Sequence, residues 1–152
     1  MNRKNKGFTL VEILIVVIIL GILAAIVIPQ FTSASDDARA SAVVSDLQSL
    51  RSQIELYKIQ HHDNGPDVGT DGNSSNDGDD FVSRLTGTTD EWGDTTQTGF
   101  GPYLQGMPSN PFADSGVRDV VGIADTNPGP SAAGWWYNPT ENKIYATHDA
   151  DL

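Results

Sequence analysis

The fold is decided near the N-terminus by residues 7–30, which read GFTLVEILIVVIILGILAAIVIPQ. An apolar run begins abruptly at Phe8 and reaches Ile28, and Glu12 is the one charged residue inside it. About 20 apolar residues are enough for a helix to cross a bilayer. We therefore expect residues 8–29 to form a single membrane-spanning helix.

Two ordinary explanations exist for such a segment. A secretory signal peptide also has a basic start and an apolar core, but it is cut at small residues after the core. Here the apolar residues continue past Ala24 and Ala25. A plain signal anchor explains the length and the basic residues 3–6, which favour a cytoplasmic N-terminus. It does not explain Glu12, because a carboxylate at the centre of a bilayer costs about 3 kcal/mol on insertion scales.

Residues 7–12 resemble the leader-processing signature of the type IV pilin and pseudopilin superfamily, and Gly21 and Pro29 match its usual helix interruptions. The resemblance implies that residues 1–7 are a leader, that a prepilin peptidase cleaves after Gly7, and that the new amino terminus of Phe8 is N-methylated. Proline removes one helix hydrogen bond and glycine weakens a helix locally. Gly21 and Pro29 therefore mark either a gentle kink or a segment that bends when subunits pack.

The same resemblance gives Glu12 a role in assembly. Cleavage would leave a positive amine at Phe8, and Glu12 lies four residues further on, on the same helical face. The amine of a neighbouring subunit would then neutralise Glu12, and a buried ion pair of this kind fixes register. The alternatives are a protonated Glu12 or one that reaches the membrane surface.

Residues 30–152 are expected to form a soluble domain, with the helix continuing to about residue 62. Five apolar residues recur there at spacings of three and four, which predicts one buried helix face. They are Val43, Leu47, Leu50, Ile54 and Tyr57. Asn64-Gly65-Pro66 should end the helix. A second short helix is predicted at residues 81–85, with Asp79 or Asp80 as its N-cap.

Three strands are predicted near residues 117–123, 134–138 and 143–147, with turn residues between the last two. The resulting fold class is α+β, with a long N-terminal helix packed on a small antiparallel sheet, as in pilins. The strand-forming residues Trp135, Trp136 and Tyr137 alternate between the two faces. We interpret them as core residues, with a ligand platform as the alternative. Tyr103, Leu104 and Phe112 should anchor an ordered, proline-rich loop.

The soluble part is acidic. The formal net charge is −11, there are no cysteines, and loss of the leader would remove three more positive charges. An acidic surface is a poor match for nucleic acid phosphates, so no nucleic acid partner is expected. Residues 67–80 are rich in Asp, Asn and Gly, but Asn76 and Val82 stand where an EF-hand loop needs Gly and Glu. We interpret this stretch as a mobile surface loop.

No cofactor is expected, although calcium is possible. Major pseudopilins often bind calcium in an Asp-containing loop, and Asp114, Asp119 and Asp125 are available, but their spacing does not reproduce such a loop. The histidines His61 and His62 are adjacent and do not have the spacing of four that helical metal pairs require. We find no nucleophile elbow and no phosphate-binding loop, which argues against an enzyme.

The sequence therefore predicts a structural subunit of a pilin-like filament, most closely a major-type pseudopilin of type II secretion. The alternatives are a type IV pilin for adhesion, motility or DNA uptake, and a membrane-anchored enzyme or binding module outside the cytoplasm. The resemblance implies several partners: other copies, other pilin-like subunits, the prepilin peptidase, an inner-membrane assembly platform and the lipid bilayer. It implies a single-pass inner-membrane protein with its C-terminal domain outside the cytoplasm, which later enters a periplasmic or extracellular filament.

Overall fold

The computed structural model describes residues 7–148, with the side chains of residues 29 and 32 left aside. Residues 1–6 of the predicted leader, which comprises residues 1–7, lie outside the described part. In chain order the elements are α1 (Leu10–Gln60), α2 (Gly78–Thr86), β1 (Val121–Ile123), β2 (Trp135–Asn138) and β3 (Lys143–Ala146). The contacts within the chain divide it into two compact units, one up to Ala40 and one from Ser41.

The first unit consists of the N-terminal part of α1. The helix is continuous through Gly21 and residue 29, so the predicted interruption remains a prediction about the assembled state. A side chain at Gly21 would meet no other atom within 4 Å. The apolar residues from Leu10 to Ile28 are exposed all round the helix. By length and composition, α1 is therefore able to cross a membrane.

The second unit is built on the C-terminal half of α1. The five residues of the predicted face are all buried, with exposed fractions between 0% and 2%, which confirms the periodicity. They form one core with residues of the second helix and of one face of the sheet: Phe81 and Leu85 from α2, and Trp135, Tyr137 and Ile144 from the strands. The partly buried Tyr103, Leu104 and Phe112 pack against this core, as predicted for the proline-rich loop.

The sheet is mixed, which corrects the antiparallel prediction. Its strand order is β1-β2-β3. The pair β2 and β3 is antiparallel, with Trp136 opposite Tyr145. The pair β1 and β2 is parallel, with Val121 opposite Trp135. Parallel neighbours need a connection that returns the chain to the same end of the sheet, and residues 124–134 provide it. The α+β class itself is confirmed.

The second helix begins earlier than predicted, and its N-cap is Asp77 instead of Asp79 or Asp80. The Asp77 side chain accepts a hydrogen bond of 2.9 Å from the backbone N–H of Asp79. Such a cap satisfies a free N–H group of the first helical turn. A side chain at Gly78 would collide with the carbonyl of Val121, so the start of α2 can lie close to β1 only because Gly78 has none.

The aromatic residues of β2 are core residues on both faces of the sheet. Trp135 and Tyr137 are completely buried against the helices. Trp136 points to the other face, where it stacks on Tyr145 with ring centroids 4.8 Å apart. The core interpretation of these residues is therefore confirmed.

The buried Asn110 organises the loop-rich region before β1. Its side-chain Nδ2 donates to the carbonyl of Gly134 over 2.7 Å, and its Oδ1 accepts from the backbone N–H of Phe112 over 3.0 Å. Its own backbone N–H donates to the carbonyl of Arg118 over 2.9 Å. One residue thus connects three otherwise separate parts of the backbone, in a region that contains no helix or strand.

Candidate functional site

The start of α1 is a capping box formed by Thr9 and Glu12. The backbone N–H of Glu12 donates to the Thr9 hydroxyl oxygen over 3.2 Å. In return, the Glu12 carboxylate accepts from the Thr9 backbone N–H over 2.8 Å and from the Thr9 hydroxyl over 2.7 Å. This reciprocal arrangement satisfies N–H groups that have no partner inside the helix. It also places a negative group at the positive end of the helix.

Thr9 is a functional candidate that the sequence interpretation missed. The spacing Thr-x-x-Glu before an apolar run is a recognisable capping signature. The sequence-based hypothesis for Glu12 gave it a partner in another subunit, whereas the structure provides this nearer one in the same chain. Within a single chain, hydrogen bonds from Thr9 therefore hold Glu12, the one charged side chain of the apolar segment.

The predicted cleavage position lies immediately before this capping box. Gly7 and Phe8 precede the first helical residue, Leu10, and both are exposed. A side chain at Gly7 would meet no other atom within 4 Å. An exposed, non-helical peptide bond is the kind of backbone that a peptidase can bind. In the described chain the Glu12 carboxylate contacts Thr9, and the predicted pairing with the amine of Phe8 remains a prediction.

Most of the acidic stretch 67–80 lies at the surface, as predicted: residues 67–77 form a hydrogen-bonded turn, residues 78–80 belong to α2, and the mobility of the stretch stays a prediction. Val68 and Ser74 form an isolated antiparallel bridge, and the backbone N–H of Gly69 donates to the carbonyl of Asn73 over 2.9 Å. Asp71 accepts hydrogen bonds from the side chain and the backbone of Asn73, which lower the pKa of the Asp71 carboxyl. Several of the acidic residues are thus used to stabilise local turns and the α2 cap.

Asp67 is the unexpected member of this stretch, because it is buried with only 2% of its surface exposed. Its Oδ2 accepts from the Ser74 hydroxyl over 2.6 Å, whereas its Oδ1 has no hydrogen-bond partner among the described residues. The neighbouring Tyr137 hydroxyl donates to Asn142 over 3.0 Å. Burial, followed by the charge of Asp67, raises the pKa of the Tyr137 hydroxyl. Asp67 is therefore a structural group of the turn, bonded to Ser74 and buried beside the Tyr137 hydroxyl of the sheet.

The three calcium candidates are not brought together into a site. Asp114 and Asp119 are exposed loop residues. The Asp125 carboxylate accepts from the Thr140 hydroxyl over 2.8 Å, and its carbonyl accepts from the Asn138 side chain over 3.3 Å. Among residues 7–148, no three His, Cys, Asp or Glu side chains converge in a way that would hold a metal ion.

The two adjacent histidines have separate structural environments. His61 is buried; its Nδ1 lies 2.8 Å from the carbonyl of Tyr57, and its Nε2 lies 2.8 Å from the hydroxyl of Thr89. Its ring also stacks on the Tyr57 ring at 3.7 Å. His62 is exposed and stacks on Trp92. The contacts of His61 are those of a core residue that joins the end of α1 to the following loops.

Comparison with known proteins finds one matching family and several relatives of this chain. Residues 2–28 match the family described as the prokaryotic N-terminal methylation motif. The chain is 42% identical over 60 residues to type II secretion system core protein G of Pseudomonas aeruginosa, covering 40% of this chain and 42% of that protein. The corresponding protein of Dickeya chrysanthemi is 41% identical over 61 residues, which is 40% of each chain. The chain thus spans about two fifths of these two relatives. No solved structure matches it.

A third relative extends the similarity beyond the first helix. Type II secretion system core protein G of Aeromonas hydrophila is 31% identical over 108 residues, which cover 63% of this chain and 73% of that protein. The match is too long to be confined to α1, so it includes part of the second unit. Together with the methylation motif at residues 2–28, it shows that this chain belongs to the type II secretion system core protein G family of the pilin and pseudopilin superfamily.

Proposed function

We propose that the protein is a structural pseudopilin subunit, which is inserted in the inner membrane as a precursor and then assembled into a type II secretion filament. The observation that carries this proposal is the N-terminal part of α1. Its residues 10–28 are apolar and exposed on every side, and the one carboxylate among them, Glu12, is held by a capping box at the start of the helix. A surface of this kind is stable only in lipid or against other helices.

Processing at the start of α1 would prepare the subunit for assembly. In this proposal a prepilin peptidase cleaves after Gly7, and the exposed amine of Phe8 is then methylated. The match to the N-terminal methylation motif supports this step. The basic residues 3–6 would keep the leader in the cytoplasm, and residues 30–152 would lie on the other side of the membrane.

Assembly would replace lipid by other helices around the same apolar surface. This exchange is nearly neutral for apolar atoms, since the interior of a bilayer and the interior of a helix bundle are both apolar. The driving force for assembly and the register between neighbouring subunits must therefore come from polar groups. Glu12 would exchange its hydrogen bonds with Thr9 for an ion pair with the amine of Phe8 in a neighbouring subunit. Gly21 and Pro29 would allow the helix to adjust as it packs.

The experiment that tests this function is mass spectrometry of the protein extracted from membranes of a host with a type II secretion system. We expect the mass of residues 8–152 plus one methyl group. A Gly7→Val variant provides the control, because a branched side chain at the cleavage position should leave the precursor intact. A mature terminus near Ser33 or Ser35 would indicate an ordinary signal peptide and would overturn the proposed function.

A further inference from the structure

The turn at residues 69–75 carries an Asn-x-Ser triplet, Asn73-Ser74-Ser75. A triplet of this type, with any residue except proline in the middle, is the acceptor pattern for N-linked glycosylation. Asn138-Pro139-Thr140 has the same outer groups, but its central proline excludes it, and Asn138 is only 4% exposed. The sequence therefore contains one acceptor triplet.

Asn73 lies in the most exposed part of this turn, because residues 70–74 are all exposed. Gly72 has a φ of 75°, which glycine adopts readily, and a side chain there would meet no other atom within 4 Å. Two backbone hydrogen bonds of 2.9 Å close the turn, one from Gly69 to Asn73 and one from Gly72 to Gly69. Exposed backbone hydrogen bonds of this kind open locally at low cost, so an enzyme can bind the turn as a peptide.

The side chain of Asn73 is bonded inside the turn. Its Nδ2 donates to the exposed Asp71 over 2.9 Å, and the backbone N–H of Asn73 donates to the same carboxylate over 3.1 Å. The neighbouring Ser74 differs, because its hydroxyl donates to the buried Asp67 over 2.6 Å. Asn73 thus offers an exposed carboxamide that can be modified without breaking a bond to a buried group.

The Asp71 carboxylate holds the carboxamide nitrogen of Asn73. Hydrogen bonds from the side chain and backbone of Asn73 lower the pKa of the Asp71 carboxyl, so this group is ionised at neutral pH. An amide nitrogen is a weak nucleophile, because its lone pair is shared with the carbonyl group. A carboxylate that accepts a hydrogen bond from this nitrogen polarises it and raises its electron density. Asp71 is therefore a positioning residue for a reaction at the Asn73 nitrogen.

We propose that Asn73 is an acceptor site for N-linked glycosylation by a bacterial oligosaccharyltransferase, with a polyprenyl-diphosphate-linked saccharide as the donor. In this step the Asn73 Nδ2 atom forms a bond to the anomeric carbon of the saccharide. The bond from that carbon to the diphosphate oxygen breaks, and polyprenyl diphosphate leaves with the electron pair. Nδ2 gives one of its two protons to a basic group of the transferase.

Ser75 completes the acceptor pattern. Its hydroxyl oxygen accepts from the backbone N–H of Asp77 over 3.1 Å, which uses a lone pair and leaves the hydroxyl proton for the transferase. The inference rests on the proposed function in one respect, because residues 30–152 must lie outside the cytoplasm. A subunit anchored in the same bilayer as the lipid-linked donor also stays close to it, and tethering raises the effective concentration of the acceptor.

The test expresses the full-length protein in Gram-negative cells that contain a bacterial oligosaccharyltransferase and a polyprenyl-diphosphate-linked oligosaccharide of known mass. The peptide Asp-Gln-Asn-Ala-Thr, which has the same spacing as residues 71–75, is added at the C-terminus as an internal control. Mass spectrometry of the membrane-extracted protein should show two oligosaccharide additions in the wild type and one in Asn73→Gln.

Two further variants separate the roles within the triplet and the turn. Ser75→Thr should retain both additions, because threonine keeps the hydroxyl group. Asp71→Asn should lose most of the addition at Asn73, because the neutral amide no longer polarises the reacting nitrogen. Modification of Asp71→Asn at the wild-type level would overturn the positioning role of Asp71.

Each failure has a distinct meaning. If the added peptide is modified and Asn73 is not, the acceptor site is wrong, while the proposed location of the domain outside the cytoplasm stands. Two additions that persist in Asn73→Gln would place the second saccharide on another residue and would also overturn the site. If neither acceptor is modified in cells that glycosylate a secreted reporter protein, the domain has not crossed the membrane, and the proposed function fails together with this inference.

Discussion

Leu50 and Leu56 lie on the same helix and differ mainly in burial, so they form a matched pair for testing the core. Leu50 is 0% exposed, whereas Leu56 is 42% exposed. We therefore expect the change to alanine to destabilise the domain strongly at Leu50 and weakly at Leu56. Helix propensity does not separate the two variants, because the same residue types are exchanged within one helix.

The magnitude follows from the groups that are removed. Leucine to alanine deletes three carbon atoms, and their transfer from water is worth about 2.4 kcal/mol when all three are buried. At Leu50 a cavity remains between α1 and the sheet, which adds to the transfer energy and gives about 3–4 kcal/mol in total. At Leu56 the side chain faces solvent on one side and leaves no closed cavity. The expected loss there is about 1 kcal/mol.

The assay is urea unfolding of a fragment containing residues 31–152, followed by the fluorescence of its tryptophans. The fragment itself is expected to be folded and monomeric. Leu50→Ala should shift the unfolding midpoint to lower urea without a large change in slope, and Leu50→Asp should prevent folding, since it buries an unpaired charge. If the free energies of unfolding of Leu50→Ala and Leu56→Ala agreed within about 0.5 kcal/mol, the assignment of the core face would be refuted.

Three further predictions concern Glu12, the acidic turns and calcium. Glu12→Gln should leave leader removal intact but block entry into filaments. Thr9→Val should impair entry less, because Glu12 keeps its charge in that variant. The yield of sheared filaments checks both, and a wild-type yield from Glu12→Gln would contradict the pairing. Hydrogen bonds from the side chain and backbone of Thr96 lower the pKa of the Asp94 carboxyl. The resulting stability is present above the unfolded pKa of about 4 and is lost as pH falls through the folded value. The melting temperature of Asp94→Asn should therefore lie below that of the wild type at pH 6 and approach it as the pH falls to 3. Millimolar calcium should raise the melting midpoint of the fragment only slightly above its value in chelator. A specific site filled at about 100 times its dissociation constant would add about 2.7 kcal/mol to the free energy of unfolding. A stabilisation of that size that disappears in Asp125→Asn would establish such a site.

The long helix and its buried face were predictable because a helix repeats every 3.6 residues, so local spacing contains the information. Val43, Leu47 and Tyr57 are buried where that period places them. The strands around Trp135 and Ile144 were predictable from their strand-forming residues and from the turn residues between them. The direction in which β1 pairs with β2 was not, since it depends on how residues 124–134 cross the sheet, and no local pattern records that path.

The site residues likewise divide into those that local spacing predicts and those that depend on the folded chain. The capping box of Thr9 and Glu12 is predictable from the Thr-x-x-Glu spacing alone. The burial of Asp67 could not be predicted from the sequence, because it depends on contacts with Ser74 and with the sheet that form only in the folded chain. An acidic stretch read by composition looks uniformly solvated, yet one of its carboxylates is a structural group.

The hydrogen bonds of Asn110 have a consequence for how the second unit loses its structure. This side chain connects the loop before β1 to Gly134, the residue that leads into β2. The coil around residues 106–119 contains no helix or strand, and by itself it would be the first part to open. Joined to the central strand, it shares the protection of that strand against hydrogen exchange. Coil and sheet should then open in a single cooperative event, so the loop-rich half of the domain unfolds with its sheet instead of fraying from it.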